Sequence, residues 1–201
     1  MCSNDRTAEN FEKVKKVLDG MGIKYTIDED EKMFRFSVEI TSKITCITYR
    51  VVVFNDAVLV CALSPIAAPY KDRKLMREAT EMICRINYGF RIGSFDLDVR
   101  DGQLIFRCYV DFEDADPSDG MIENAIVCPS SMFCRYGDAI ADVFFGAASA
   151  KEAVFLAEHS DKVTGWFDGV DDSGSDDGDG DDNDNDDVDD GDDDGIDDSD
   201  E

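Results

Sequence analysis

The chain has 201 residues and a formal charge of −27, a length that holds one domain with a sizeable core and a tail. The charge is uneven: 20 of the 47 acids lie at or beyond Asp168, where no Lys or Arg occurs, leaving 27 acids against 20 bases before it, a net of −7. Neither part carries the basic stripe that phosphate backbones require, which excludes nucleic acid as a partner class.

In chain order, TAENFEKVKKVLDGMG places Phe11, Val14, Val17, Leu18 and Met21 at helical spacing, with Thr7 as N-cap and Gly20 or Gly22 as the stop. IKYTI (23–27) and FRFSVEI (34–40) alternate in hydropathy. TCITYRVVVF (45–54) is β-branched and aromatic, Asn55-Asp56 makes a turn, and AVLVCAL (57–63) follows. Short turns between consecutive strands predict an antiparallel meander. In TCITYRVVVF both faces carry apolar side chains: Cys46, Thr48, Arg50, Val52 and Phe54 on one, Thr45, Ile47, Tyr49, Val51 and Val53 on the other. That pattern predicts a strand covered on two sides, by helices of the chain, a second copy in a homodimer or a client peptide.

DRKLMREATEMICRINYG repeats apolar residues at Leu75, Met76, Ala79, Met82, Ile83 and Ile86, a second amphipathic helix ending near Gly89. FDLDVRDGQLIFRCYVDFED (95–114) reads as a β-hairpin turning on Asp101-Gly102. A two-residue turn sets Val99 opposite Leu104, Leu97 opposite Phe106 and Phe95 opposite Cys108 on the core face. Asp96 then stands opposite Arg107 on the wet face. A third helical region opens at MIENAIV, is interrupted by Pro129, and continues through SSMFCRYGDAIADVFFG and AKEAVFLAEH. The order predicts an α+β fold, an antiparallel sheet of about five or six strands packed by helices. From Asp168 the chain is Asp- and Gly-rich without periodicity, which predicts a disordered acidic tail at 166–201 behind a folded domain at 1–165.

PYKDRKLMREATEMICRINYGFRIGSFDLDVRDGQLIFR (69–107) resembles the YbjN-domain family. The matching features are a helix closing on Ile86-Asn87-Tyr88, a Gly93-Ser94-Phe95 entry into the hairpin, and the Asp-Gly turn; with the first helix and meander the resemblance spans roughly residues 7–147. It implies a type III secretion chaperone-like fold and a protein-binding module, chaperone-like or a regulator of the sensory-transduction type, with no established catalytic activity. Asn87 reads as a helix end or as a side chain tying that end to the sheet.

Chemistry-bearing constellations are sparse. His159, the single histidine, is followed by Ser160 and Asp161, but adjacent helical side chains diverge and cannot form a triad. Cys128 and Cys134 in CPSSMFC could use His159 as base, against the plainer reading of buried cysteines and a solvent histidine. The acid pair Asp96 and Asp98 flanks no inferable pocket, and the phosphate loop G-x-x-x-x-G-K-[ST] is absent, so neither a catalytic site nor a cofactor is expected. Asp190, Asp192, Asp194 and Glu201 in DGDDDGIDDSDE match an EF-hand ligand spacing with Gly195 at its turn. Position 8 of that loop is Asp197 rather than an apolar residue and no helix flanks it, so diffuse cation condensation is the preferred reading, with a calcium-responsive tail as the alternative.

The seven cysteines contain no C-x-x-C and several sit in apolar runs, as in AVLVCAL, which suits a reducing cytosol. MCSNDRTAENFEK lacks the apolar core of a signal peptide, and the longest apolar runs are too short to span a bilayer. The expectation is a cytoplasmic, non-catalytic protein without membrane insertion, whose partner is another protein or peptide.

Overall fold

The computed structural model describes residues 5–112 and 115–160. All fall in the compact unit Met1–Thr164; the tail placed at 166–201 lies outside the described residues.

The elements follow as α1 (Thr7–Gly20), β1 (Thr26–Asp28), β2 (Met33–Glu39), β3 (Cys46–Val53), β4 (Ala57–Leu63), α2 (Arg73–Tyr88), β5 (Ser94–Leu97), β6 (Leu104–Asp111), α3 (Asp119–Phe144) and α4 (Ala150–Glu158). The six strands form one antiparallel sheet in the order β1-β2-β3-β4-β6-β5. The α+β class and strand number are those expected from the alternating runs.

Local chemistry fixes the helix ends. The Asp72 carboxylate accepts from the backbone N–H groups of Lys74 and Leu75 and starts α2. Ser149 and Glu152 form a reciprocal capping box at α4. The start of α1 differs from expectation: Thr7 is the first helical residue rather than the cap, and the Asp5 carboxylate accepts its N–H at 3.0 Å. Pro129 does not divide the third helical region either, because α3 runs unbroken for 26 residues. A proline inside a helix costs about 3 kcal/mol. Burial of both flanking turns, with Ala125, Ile126, Cys128, Met132 and Phe133 in the core, offsets it.

Side chains alternate along strands, so the register decides which residues share a face. Phe34 and Phe36 on β2, Ile47, Tyr49, Val51 and Val53 on β3, Val60 and Ala62 on β4, Phe106 and Cys108 on β6, and Phe95 on β5 share the buried face. Here α1 packs on β3, α3 on β4 and β6, and α2 on β5 and α3. Phe95 stands edge-on to Phe106 at 4.9 Å and to Phe133 of α3 at 5.1 Å, joining the layers.

The hairpin register is corrected. The β5–β6 hairpin pairs Phe95 with Phe106 and Leu97 with Leu104, two residues from the predicted register. The connection is a four-residue loop rather than the two-residue Asp-Gly turn: Asp98 N–H donates to Gln103 O, and Gly102 N–H folds back to Asp98 O at 2.7 Å. A slip of two keeps every side chain on its face, so Phe95, Leu97, Leu104, Phe106 and Cys108 stay inward while Val99 moves into the loop, 62 % exposed. On β3 the helices of the chain cover one side among the described residues, so a second copy or a client peptide remains as the expected covering of the other. Ile47, Tyr49, Val51 and Val53 are buried, whereas Thr48 and Arg50 are exposed and Cys46 and Val52 half-buried.

Candidate functional site

With the helices on one face, the other face of the sheet stands open among the described residues. Antiparallel sheets tolerate this when the outer residues are polar, and the outer positions of β2 obey that rule at Arg35, Ser37 and Glu39 but not at Met33, which is buried opposite Val52. The centre of the sheet does not. Val52 of β3, Leu59 and Leu63 of β4 and Ile105 of β6 are half-buried, and Tyr109 is 57 % exposed.

These residues lie in three rows crossing the strands. In one, Val52 stands opposite Leu59 and Leu59 opposite Tyr109. In another, Thr48 stands opposite Leu63 and Leu63 opposite Ile105. Between them, Arg35 of β2 faces Arg50 of β3, Arg50 faces Cys61 of β4, and Cys61 faces Arg107 of β6. Arg35 pairs with Asp28 at 3.6 Å and Arg107 with Asp96 at 2.6 Å; among the described residues Arg50 has no ion-pair partner. Burial pushes the Cys61 thiol up, against the lowering pull of Arg107 and Arg50, so it stays protonated near neutral pH. Beyond Ile105 a shallow groove of about 450 Å³ runs along Asp96, Asp98, Val99, Arg100 and Gln103.

Among further concavities, one of about 610 Å³ lies along Arg85, Lys151 and Phe155, and one between α3 and α4 is a cleft of about 280 Å³ lined by Arg135, Asp138, Asp142, Leu156 and Ser160 among others. Lys43 closes over its rim, its N–H on the Asp138 carboxylate at 2.6 Å and its ammonium paired with Asp142. These contacts join α3 to the β2–β3 connection and read as structural.

The sequence candidates fall apart in space. The contacts of His159 are with Phe155, whose ring it stacks on at 4.1 Å and whose carbonyl meets Nδ1 at 2.8 Å. Cys128 is buried against Cys108, and their shared hydrogen bond together with burial holds the Cys108 thiol up. Cys134 is half-buried. Ser160 Oγ donates to Ala157 O at 3.3 Å, and Asp161 lies outside the described residues. Asp96 serves Arg107, and Asp98 accepts from the backbone N–H and Nε of Arg100, each at 2.9 Å. Asp190, Asp192, Asp194 and Glu201 lie outside the described residues, and among those described no group of three or more His, Cys, Asp or Glu is placed to hold a metal. Among the described residues no helix is long and apolar enough to cross a membrane.

The arginine row was not found from sequence. Arg35, Arg50 and Arg107 are each one polar residue in an alternating strand, and only the register of three strand pairs sets them in line.

A family model, YbjN, described as "Putative bacterial sensory transduction regulator", matches residues 10–142, close to the span of the sequence resemblance. Two solved structures are similar. One is "Crystal structure of YbjN, a putative transcription regulator from E. coli", 9 % identical, covering 63 % of this chain and 90 % of that chain with a TM-score of 0.45. The other is a protein from Methanothermobacter thermautotrophicus, 17 % identical, covering 73 % of this chain and 95 % of that chain with a TM-score of 0.38. No curated protein matches the chain.

Proposed function

The chain belongs to the YbjN family, and from that premise we propose that it is a non-catalytic cytoplasmic regulator, chaperone-like in action, that works by binding another protein on the open face of its sheet. The observation that carries this reading is the half-buried apolar centre of that face, Val52, Leu59, Leu63 and Ile105 beside the exposed Tyr109. An aromatic residue with an apolar body and a polar tip, set among aliphatic neighbours, is the usual anchor of a protein contact. Helices fill the opposite face, so a partner laid here would give the sheet a second covering layer. The six described cysteines are all unpaired, which suits a reducing compartment.

The test compares the full-length chain with Tyr109→Glu and Leu63→Lys in affinity capture from native lysate, alongside the melting temperature of each. Both side chains point away from the core, so both variants are expected to melt within a few degrees of the parent and to lose the captured protein. Equal capture by parent and variants would remove the open face from the function.

A further inference from the structure

The arginine row carries the function one step further, on the reading that the open face is the binding face. Like charges directly opposite on neighbouring strands destabilise a sheet, yet Arg35 and Arg50 are direct partners across β2 and β3. Arg35 and Arg107 are each answered by a carboxylate, Asp28 and Asp96, and Arg50, at the middle of the sheet, has none among the described residues. Between Arg50 and Arg107 stands Cys61, a side chain shorter than either arginine, with Arg50 on the strand to one side and Arg107 on the strand to the other. The strands that carry the two arginines are about 9–10 Å apart. The Cys61 thiol, pushed up by burial, is neutral and does not compete for the arginines. A planar guanidinium fork selects carboxylate or phosphate oxygens.

The surroundings decide which anion. The row lies between the apolar residues Val52, Leu59 and Tyr109 on one side and Leu63 and Ile105 on the other, so the ligand must offer apolar groups on both sides of its charge. Asp28 and Asp96 flank the row, and residues 1–167 carry a net charge of −7, so the site suits an isolated carboxylate set among apolar groups and not a continuous run of negative charge. Three inter-strand gaps by two row spacings cover about 200 Å² between Cα positions. A patch of that extent matches one short segment laid across it. A helix of about 10 residues spans the row.

We propose that the open face binds an acidic amphipathic segment of a partner protein, with a carboxylate between Arg50 and Arg107 over Cys61 and apolar side chains on Leu59 and Tyr109 to one side and Leu63 and Ile105 to the other.

The test uses the full-length chain and two labelled 14-residue synthetic helices, one with a Glu stripe between Leu flanks and one with Gln in place of every Glu, read by fluorescence anisotropy. The Glu peptide is expected to bind at least tenfold more tightly than the Gln peptide, with affinity falling as salt rises. Arg50→Gln should reduce its binding at least tenfold without lowering the melting temperature, because it also relieves the repulsion with Arg35. Arg50→Glu should exchange the preference for a Leu/Lys peptide. Equal binding of the Glu and Gln peptides, no binding of either, or an unchanged affinity in Arg50→Gln would overturn the inference. Self-association lost in Arg50→Gln and not competed by the Glu peptide would assign the face to a second copy and overturn it too. If Tyr109→Glu loses a native partner that Arg50→Gln keeps, the open face stands as the binding face and the acidic-segment inference alone fails.

Discussion

The side-chain amide of Asn87 closes a two-bond ring on the backbone of Phe95. Nδ2 donates to Phe95 O at 2.8 Å, and Phe95 N–H donates to Oδ1 at 2.9 Å. Asn87 sits in the last turn of α2, and Phe95 lies in β5, the edge of the sheet. Because Phe95 turns both its backbone groups away from β6, the amide acts as one residue of a further strand. The exposed edge is satisfied there, and the ring of Phe95 is fixed in the core against Phe106 and Phe133.

Asn87→Ala removes both bonds and leaves a partly buried backbone N–H and C=O without partners. The loss expected is about 1–3 kcal/mol in chemical denaturation, with faster hydrogen exchange at the Phe95 amide. Asn87→Asp keeps the acceptor and loses the donor, so its stability should fall between the two. An Asn87→Ala protein as stable as the parent would mean that β5 is held by β6 alone.

The hairpin register separates two further residues. Phe106→Ala removes a fully buried ring and should lower stability by about 3–5 kcal/mol. Asp96→Ala breaks a half-exposed pair with Arg107 and should cost no more than about 1 kcal/mol. Val99→Ser, in the loop, should stay within about 0.5 kcal/mol of the parent. A large loss at Val99 would restore the two-residue turn and the register it implies.

Those three residues also mark what the sequence could and could not tell. Alternation put Phe106 inside and Asp96 outside without ambiguity, since a slip of two residues preserves the face. Loop length was not local information. Asp-Gly is a two-residue turn in isolation, but here the Asp98 carboxylate holds the N–H and Nε of Arg100, and Ala68 N–H, 34 residues earlier than Gly102, donates to Gly102 O at 2.8 Å. The same distance in sequence hides the arginine row. Arg50 was visible as one polar position in TCITYRVVVF, but its alignment with Arg35 and Arg107 depends on three separate registers. Pro129 shows the reverse error: a strong local breaker signal yields to the burial of the helix around it.

Gly102 carries a positive φ of 77°, and a Cβ built on it would stand 2.1 Å from Ala68 O. The left-handed conformation alone costs an L-residue about 1–2 kcal/mol. The clash is with backbone, which cannot swing away as a side-chain end can. Gly102→Ala should therefore destabilise by more than about 2 kcal/mol and break the Ala68–Gly102 bond. Solvent exchange at the Ala68 amide measures that bond directly. Gly20→Ala, with nothing within 4 Å of its Cβ position, is the control and should be neutral or slightly stabilising.

The loop also has its own acid dependence. Hydrogen bonds from the side chain and backbone of Arg100 hold the Asp98 carboxyl at about 2, below its usual value of 3.8. A depressed folded-state value means that the unfolded chain takes up the proton first. The stabilisation is fully present above about pH 4 and is lost as pH falls towards 2. Asp98 is at the surface and its contact with Arg100 is screened by solvent, so the effect on global stability is small and is best read at the site. In an NMR titration the Asp98 carboxyl carbon should shift with a midpoint near 2, and the Arg100 Nε–H signal should broaden over the same range. Arg100→Ala should move that midpoint up towards the ordinary aspartate value while leaving the melting temperature at neutral pH nearly unchanged. A midpoint near 4 in the parent protein would show that the guanidinium is not seated on Asp98 and that the loop owes its shape to Gly102 and Ala68 alone.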